Sequence, residues 1–298
     1  MMSTSSTLKC VTLVWIAIRP AEWIKNMFVF APMFFSGQIW NFSKLSLVAV
    51  AFFSFCAMSS AVYLFNDIND HELDRLHPRK AKRPIASGEL SIRLARIVMV
   101  GMAAVSMILV ISFPSVAALI FGYALINVAY SLRLKHIVIL DVFCIAVGFV
   151  LRVFVGGWVI NVVPSFWLIL ATFLLSLFLA LLKRRHELLV MEAAPSAHRP
   201  VLEHYSLKLL DELVSVVTPV TLITYILYTM DAVTIARFHT DHLYLTAVFV
   251  VFGIFRYLYL VHRMNMGGSP VDIVWHDVPL VIALLAWVSA FWAIVYYP

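Results

Sequence analysis

Residues 97 to 132 pass without a single Asp, Glu, Lys or Arg, and that run constrains the chain more than any other feature. As one helix it would reach about 54 Å, well beyond the roughly 30 Å of hydrocarbon in a bilayer. Ser112-Phe113-Pro114-Ser115 interrupts it, and since proline cannot continue a helix from within, two short crossing helices are expected. The remainder agrees. Of 298 residues 63% are hydrophobic and 13% charged, outside the range of a soluble domain, so the fold class is an all-α, polytopic transmembrane bundle, residues 1–298 forming a single integral membrane domain.

Stretches long enough to cross fall at approximately 22–39, 46–67, 92–112, 115–132, 137–160, 164–183, 211–230, 242–262 and 278–297, about nine helices in all. The apolar run Val11 to Ile18 is short, meets Arg19-Pro20 at once and lacks a small-residue cleavage site, which predicts a retained N-terminus. Cys10, Cys56 and Cys144 stand at no metal-like spacing. With the N-terminus inside, the basic residues of the loops gather on the cytoplasmic side and leave only Lys44 and Arg237 for the other. The acidic residues gather there too, all but Asp231 and Asp241. Topology does not require that, because Asp and Glu contribute little to orientation. Chemistry on that face does.

The first long loop, Asn66 to Arg93, concentrates it. Asp67, Asp70 and Asp74 are spaced i, i+3 and i+7, on one helical face within two turns. Three unpaired carboxylates there repel. A hard divalent cation shared with phosphate oxygens removes the repulsion and makes the face a diphosphate platform, with Mg²⁺ as the cofactor. Pro78 ends the helix, and the following Arg79, Lys80, Lys82 and Arg83 are expected to return to the carboxylates and neutralise charge on a departing diphosphate. A solvated loop obeying the positive-inside rule accounts for these cations, but not for three aligned aspartates.

Two further clusters end helices at the same face. Tyr130-Ser-Leu-Arg-Leu-Lys135 precedes Asp141, and Asp141, Gly148 and Arg152 recur at i, i+7 and i+11. That stripe puts Arg152 about 16 Å into the span, where an arginine either serves a site or pairs structurally with a neighbouring helix. Lys183-Arg184-Arg185-His186-Glu187 fans cations around the end of the sixth crossing, either for the helix dipole and topology or as a phosphate receptor. Lys25 and Asn26 open the first crossing, while Asp272 and Asp277 read as turn and cap residues.

These motifs resemble the UbiA superfamily of membrane prenyltransferases. The likeness rests on Asn66-Asp67-x-x-Asp70-x-x-x-Asp74, Arg83-Pro-Ile-Ala-Ser-Gly88 and Tyr130-Ser-x-x-Leu-Lys135. Within it, Arg19-Pro-x-x-Trp-x-Lys25-Asn26, His77-Pro78, Leu140-Asp-Val, Gly148-Phe-Val-Leu-Arg152 and Lys183-Arg-Arg-x-Glu187 are most similar to the branch that attaches phosphoribose to decaprenyl phosphate. Members acting on aromatic acceptors carry a second Asp-x-x-x-Asp motif near the end of the sixth helix; here that region is cationic and lacks the carboxylate pair.

The resemblance implies a central cavity open to the cytoplasmic side of the inner (plasma) membrane. It also implies Mg²⁺-dependent transfer of 5-phosphoribose from phosphoribosyl diphosphate to a polyprenyl phosphate, with release of diphosphate. Asp67, Asp70 and Asp74 would hold the metal; Lys82, Arg83, Lys135 and Asp141 would complete the catalytic set. Substrate contacts would come from Lys25, Asn26, Asn66, Arg79, Tyr130 and Arg152, with Lys183, Arg184 and Glu187 at the sixth helix. Prenyl transfer from an isoprenoid diphosphate to a small acceptor uses the same first motif and is the alternative. Transport of an anionic lipid or metabolite is a third reading, opposed by the lack of repeat symmetry. No nucleic-acid partner is expected, and a homo-oligomer is compatible with the sequence.

Overall fold

The computed structural model describes residues 4–76, 80–193, 200–264, 267–268 and 270–296. The described residues form helices and no strands, in two compact units, the first ending at Pro164 and the second beginning at Ser165.

The first unit opens with α1 (Thr4–Ile18), a 3₁₀ helix (Pro20–Phe30) and α2 (Ala31–Phe35). The long α3 (Phe42–Asn69) follows, then α4 (His71–Leu76), α5 (Ile92–Leu109), α6 (Pro114–Leu132) and α7 (Leu140–Val159). Side chains start two of these: Asn41 accepts from the Lys44 amide at the head of α3, and Ser91 from that of Leu94 at the head of α5. Pro114 stands at the first position of α6, where its missing N–H costs nothing, so the charge-free run divides at Val110–Phe113.

Among the described residues eight helices are long and apolar enough to cross a bilayer. The span read at 22–39 takes another form, the 3₁₀ helix running into α2. A 3₁₀ helix rises about 2.0 Å per residue, so these residues reach almost as far as a longer α-helix. With Glu22, Lys25 and Asn26 its only strongly polar residues, the segment has too few to tell a period of about 3.0 from one of about 3.6.

The core of this unit surrounds α3, which packs against α1, the 3₁₀ helix, α5, α6 and α7. Phe55, Val48, Val29, Ile120 and Val155 are buried at its centre. In lipid, helices associate through van der Waals packing, close approach at small residues and polar bonds instead of escape from water. Ser54 accordingly donates to the Ser106 carbonyl (2.8 Å) where α3 meets α5. On α7 a Cβ at Gly156 would lie 1.8 Å from the Val29 carbonyl oxygen, so only glycine lets the 3₁₀ helix come this near. A second cluster of Ala17, Ile18, Leu64, Ile85, Leu90 and Ala95 lies at the acidic end of α3. It seats the end of α1 and the loop after α4.

The second unit contains α8 (Phe166–Ala193), α9 (Leu207–Met230), α10 (Ala232–Phe238), α11 (Ala247–Arg263), α12 (Pro270–His276) and α13 (Val278–Tyr296). Helices α8 and α9 pack together, as do α11 and α13. Tyr225 joins α9 to α13 by accepting from Trp287 Nε1 (2.7 Å). Asp277 caps α13 at the Leu280 amide (2.9 Å) and pairs with Arg256 (2.8 Å). Its reading as a cap holds.

Candidate active site

The site forms where α3 ends, within the first unit. Helix α3 stops at Asn69, Asp70 occupies its C-cap, and α4 restarts at His71. The amide of Asp74 still reaches the Asp70 carbonyl (2.8 Å), so the helical course continues across the break. The loop then returns: Arg75 Nε donates to the Ala86 carbonyl (2.9 Å), which draws Arg83 to Ala86 against α4.

Arg83 Nη1 lies 2.5 Å from an Asp74 oxygen and 3.0 Å from an Asp67 oxygen. Both aspartates are 3% exposed. One cationic nitrogen thus serves two buried carboxylates, the arrangement their mutual repulsion requires. Lys80 stands 3.7 Å from Asp74. Asp67 also receives Arg19 Nη2, at 2.5 and 2.8 Å from its two oxygens. Asp70 turns to a different cation, Lys135 Nζ, at 2.8 and 2.9 Å. The three carboxylates therefore share one region, but two converge on Arg83 while the third pairs separately.

Sequence reasoning assigned Arg19 no site role. The residue closes α1 in the left-handed conformation (φ 53°), which a non-glycine residue adopts at a cost of about 1–3 kcal/mol unless its surroundings hold it. Its guanidinium on Asp67 and over the Tyr63 ring (5.1 Å) supplies that hold. A cavity of about 210 Å³ opens beside it, lined by Ile16, Ala17, Arg19, Asp67, Lys82, Arg83 and Pro84. The walls are apolar on the α1 side and charged on the other. Lys82 is exposed here. Nearby in sequence, Asn66 Oδ1 is buried without a hydrogen-bond partner, an acceptor that a bound donor or cation would satisfy.

The other predicted residues distribute differently. Asn26 and Arg152 meet each other deep in the unit. Arg152 donates to Asn26 Oδ1 (2.8 Å), the Gly148 carbonyl (2.8 Å) and the Tyr123 hydroxyl (3.4 Å). Its guanidinium lies 4.8, 5.1 and 4.9 Å from the Phe55, Tyr123 and Phe149 rings. That is the structural pairing, with neutral oxygens and ring faces in place of a counter-ion. Lys25 pairs with Glu22. Asp141 is fully buried in the first turn of α7, where the helix dipole favours a carboxylate. Neither Asp141 nor Arg152 lines the cavity. Tyr130 is half-buried in the last turn of α6, and Arg79 lies outside the described residues. In the second unit Arg184 is buried and donates to Glu187 (2.5 Å) one turn on in α8, which also carries Lys183.

Polytopic apolar helices with buried carboxylates bracketed by arginine and lysine offer the groups that a metal and a phosphorylated substrate require. The comparisons give the family. Residues 26–187 match the model of the UbiA prenyltransferase family, and the chain belongs to that family. It is 32% identical over 280 residues to a decaprenyl-phosphate phosphoribosyltransferase of Corynebacterium glutamicum, covering 91% of this chain and 83% of the relative. With the enzyme of the same name from Mycolicibacterium smegmatis it shares 31% identity over 294 residues, covering 94% and 92%. Its fold is similar to that of a UbiA homologue from Archaeoglobus fulgidus bound to DMAPP and Mg²⁺, with a TM-score of 0.70 and 19% identity over 95% of this chain and 98% of the other. The chain is a transferase and an integral, multi-pass membrane protein.

Among the described residues no three His, Cys, Asp or Glu side chains are grouped as a ready metal site. The donors nonetheless suit Mg²⁺. Asp67 and Asp74 offer hard oxygens, a cationic nitrogen already lies between them, and Mg²⁺ is bound through one or two carboxylates with phosphate oxygens completing its shell.

Proposed function

We propose that the chain transfers 5-phosphoribose from phosphoribosyl diphosphate to a polyprenyl phosphate and releases diphosphate, the whole chain acting as one transferase domain with its site at the cytoplasmic face of the plasma membrane. The observation that carries the reading is Arg83 Nη1 held between Asp67 and Asp74, with Arg19 and Lys82 on the same cavity. Carboxylates for a metal and cations for an anion stand side by side. The choice of substrate rests on relatives of that name spanning nearly the whole chain and on a cationic sixth helix where a second acidic motif would serve an aromatic acceptor.

Mg²⁺, when bound, would neutralise charge on the donor diphosphate. Asp67 and Asp74 would hold it, with Asp70 alongside. An oxygen of the lipid phosphate would attack C1 of the sugar while the C1–O bond to diphosphate breaks and its electron pair leaves with the diphosphate. Arg83, Lys82 and Lys135 would stabilise that charge as it grows. A phosphate monoester is already anionic near pH 7, so no side chain has to remove a proton. Lys25, Lys183 and Arg184 belong to the same proposal as ligands of the ribose 5-phosphate or the lipid phosphate, and Asn66 as a donor-side contact.

Membranes containing the chain, incubated with labelled phosphoribosyl diphosphate and a polyprenyl phosphate, should yield a labelled lipid whose formation stops with EDTA and resumes with Mg²⁺. No labelled lipid, together with transfer from a labelled isoprenoid diphosphate to an aromatic acceptor, would favour prenyl transfer instead.

A further inference from the structure

Asp67 accepts both Arg19 and Arg83, and Asp74 accepts Arg83 as well. Each guanidinium on these carboxylates competes with a metal for their oxygens and repels its charge. The carboxylates are buried while the guanidinium groups are partly exposed, and a buried carboxylate that loses its cation is left with its desolvation uncompensated. A divalent cation entering alone is therefore opposed by both arginines, which, if pushed aside, find no anion besides Asp67 among the described residues that line the cavity.

We infer that Arg19 and Arg83 are resident counter-ions that exchange from carboxylate to diphosphate, so that the metal and the diphosphate of the donor enter this site together. A diphosphate supplies the oxygens that the displaced guanidinium groups require, and a guanidinium fork binds phosphate oxygens as readily as a carboxylate. Arg19 is placed for the exchange, because it is held by Asp67 on one side, stacks on Tyr63 and lines the cavity. Free energy linkage then makes the effect mutual: the anion tightens the metal by the same factor by which the metal tightens the anion. Arg19 acts as a positioning residue for the acidic motif before the donor arrives and as a ligand of the donor afterwards. The inference rests on the proposed donor site and concerns how that site fills.

The test uses the full chain in nanodiscs, with Mn²⁺ as the metal probe followed by electron paramagnetic resonance and inorganic pyrophosphate as the anion. Mn²⁺–pyrophosphate association is measured without protein and subtracted. In the unmodified chain Mn²⁺ alone should bind weakly, and pyrophosphate should raise its affinity about tenfold or more, within the usual span of site coupling. Arg19→Gln should strengthen the binding of Mn²⁺ alone and shrink the gain from pyrophosphate, whereas a merely structural role for Arg19 would weaken both. Arg19→Lys, which keeps the charge and loses the fork, should move in the same direction by less, and it serves if the glutamine variant does not fold. If Arg19→Gln leaves or lowers the affinity for Mn²⁺ alone while Asp67→Asn abolishes binding, the exchange is wrong and the metal site stands. If Asp67→Asn changes neither Mn²⁺ nor pyrophosphate binding, the exchange and the site reading beneath it both fail.

Discussion

Lys135, in the 3₁₀ turn Leu134–His136 that follows α6, reaches both carboxylate oxygens of Asp70 across 65 residues of chain, at 2.8 and 2.9 Å. The contact ties the loop after α6 to the acidic end of α3 and gives Asp70 a cation of its own. Lys135→Met should lower kcat/KM for phosphoribosyl transfer by about 10²-fold, the usual scale for losing one donor to developing charge. The pair is partly exposed, so thermal stability should change little. Steady-state kinetics and a melting curve of the same preparation check both halves.

Arg152 is held without a carboxylate, by the Asn26, Gly148 and Tyr123 oxygens and three ring faces. Arg152→Lys keeps the charge but cannot reproduce the fork, and it strands buried acceptors at a cost of about 1–3 kcal/mol each. Thermal unfolding in detergent should show a clear fall in midpoint for this variant. Mn²⁺ and pyrophosphate binding by the folded fraction should be unchanged.

Gly156 permits the close approach of α7 to the 3₁₀ helix, since a Cβ there would stand 1.8 Å from the Val29 carbonyl oxygen. That atom is backbone and cannot swing aside. Gly156→Ala should therefore destabilise by about 1–3 kcal/mol or more through overpacking, read as a lower unfolding midpoint, while Gly101→Ala, which meets nothing within 4 Å, should not.

Arg256, which hydrogen-bonds Asp277, holds the Asp277 carboxyl below its usual range, and the Leu280 amide adds to this. A carboxyl whose folded pKa is depressed stabilises the fold fully above its unfolded pKa, about 3.9, and loses that contribution as pH falls toward the folded value. The unfolding midpoint of the unmodified chain should accordingly exceed that of Asp277→Asn at pH 6. The gap should close as the buffer is taken below about pH 4.

Much of this was legible in the sequence. Eight of the nine expected crossings, the break at Pro114 and the acidic motif followed from apolar run length and from the i, i+3, i+7 spacing of Asp67, Asp70 and Asp74. The return of Arg83 followed from the helix-ending Pro78, whereas the sequence reads Lys135 as a phosphate contact and does not announce its pairing with Asp70. What did not follow depends on distant pairing or on backbone detail. Arg19 reaches Asp67 only because the chain turns left-handed at that residue, a conformation no side-chain pattern announces. The partners of Arg152 lie as far as 126 residues away, and aromatic residues are so abundant that a ring cage cannot be told from packing. Between Pro20 and Phe35 the few polar residues, Glu22, Lys25 and Asn26, are too closely spaced to separate a 3₁₀ from an α-helix by periodicity.

The most direct test is the rate at which labelled phosphoribose enters lipid in nanodiscs carrying Asp67→Asn, beside the unmodified chain and with unfolding midpoints recorded for both. A folded variant whose rate falls by at least about 10²-fold is the expected result. A folded variant that transfers at the unmodified rate would contradict the assignment of metal and diphosphate to the end of α3.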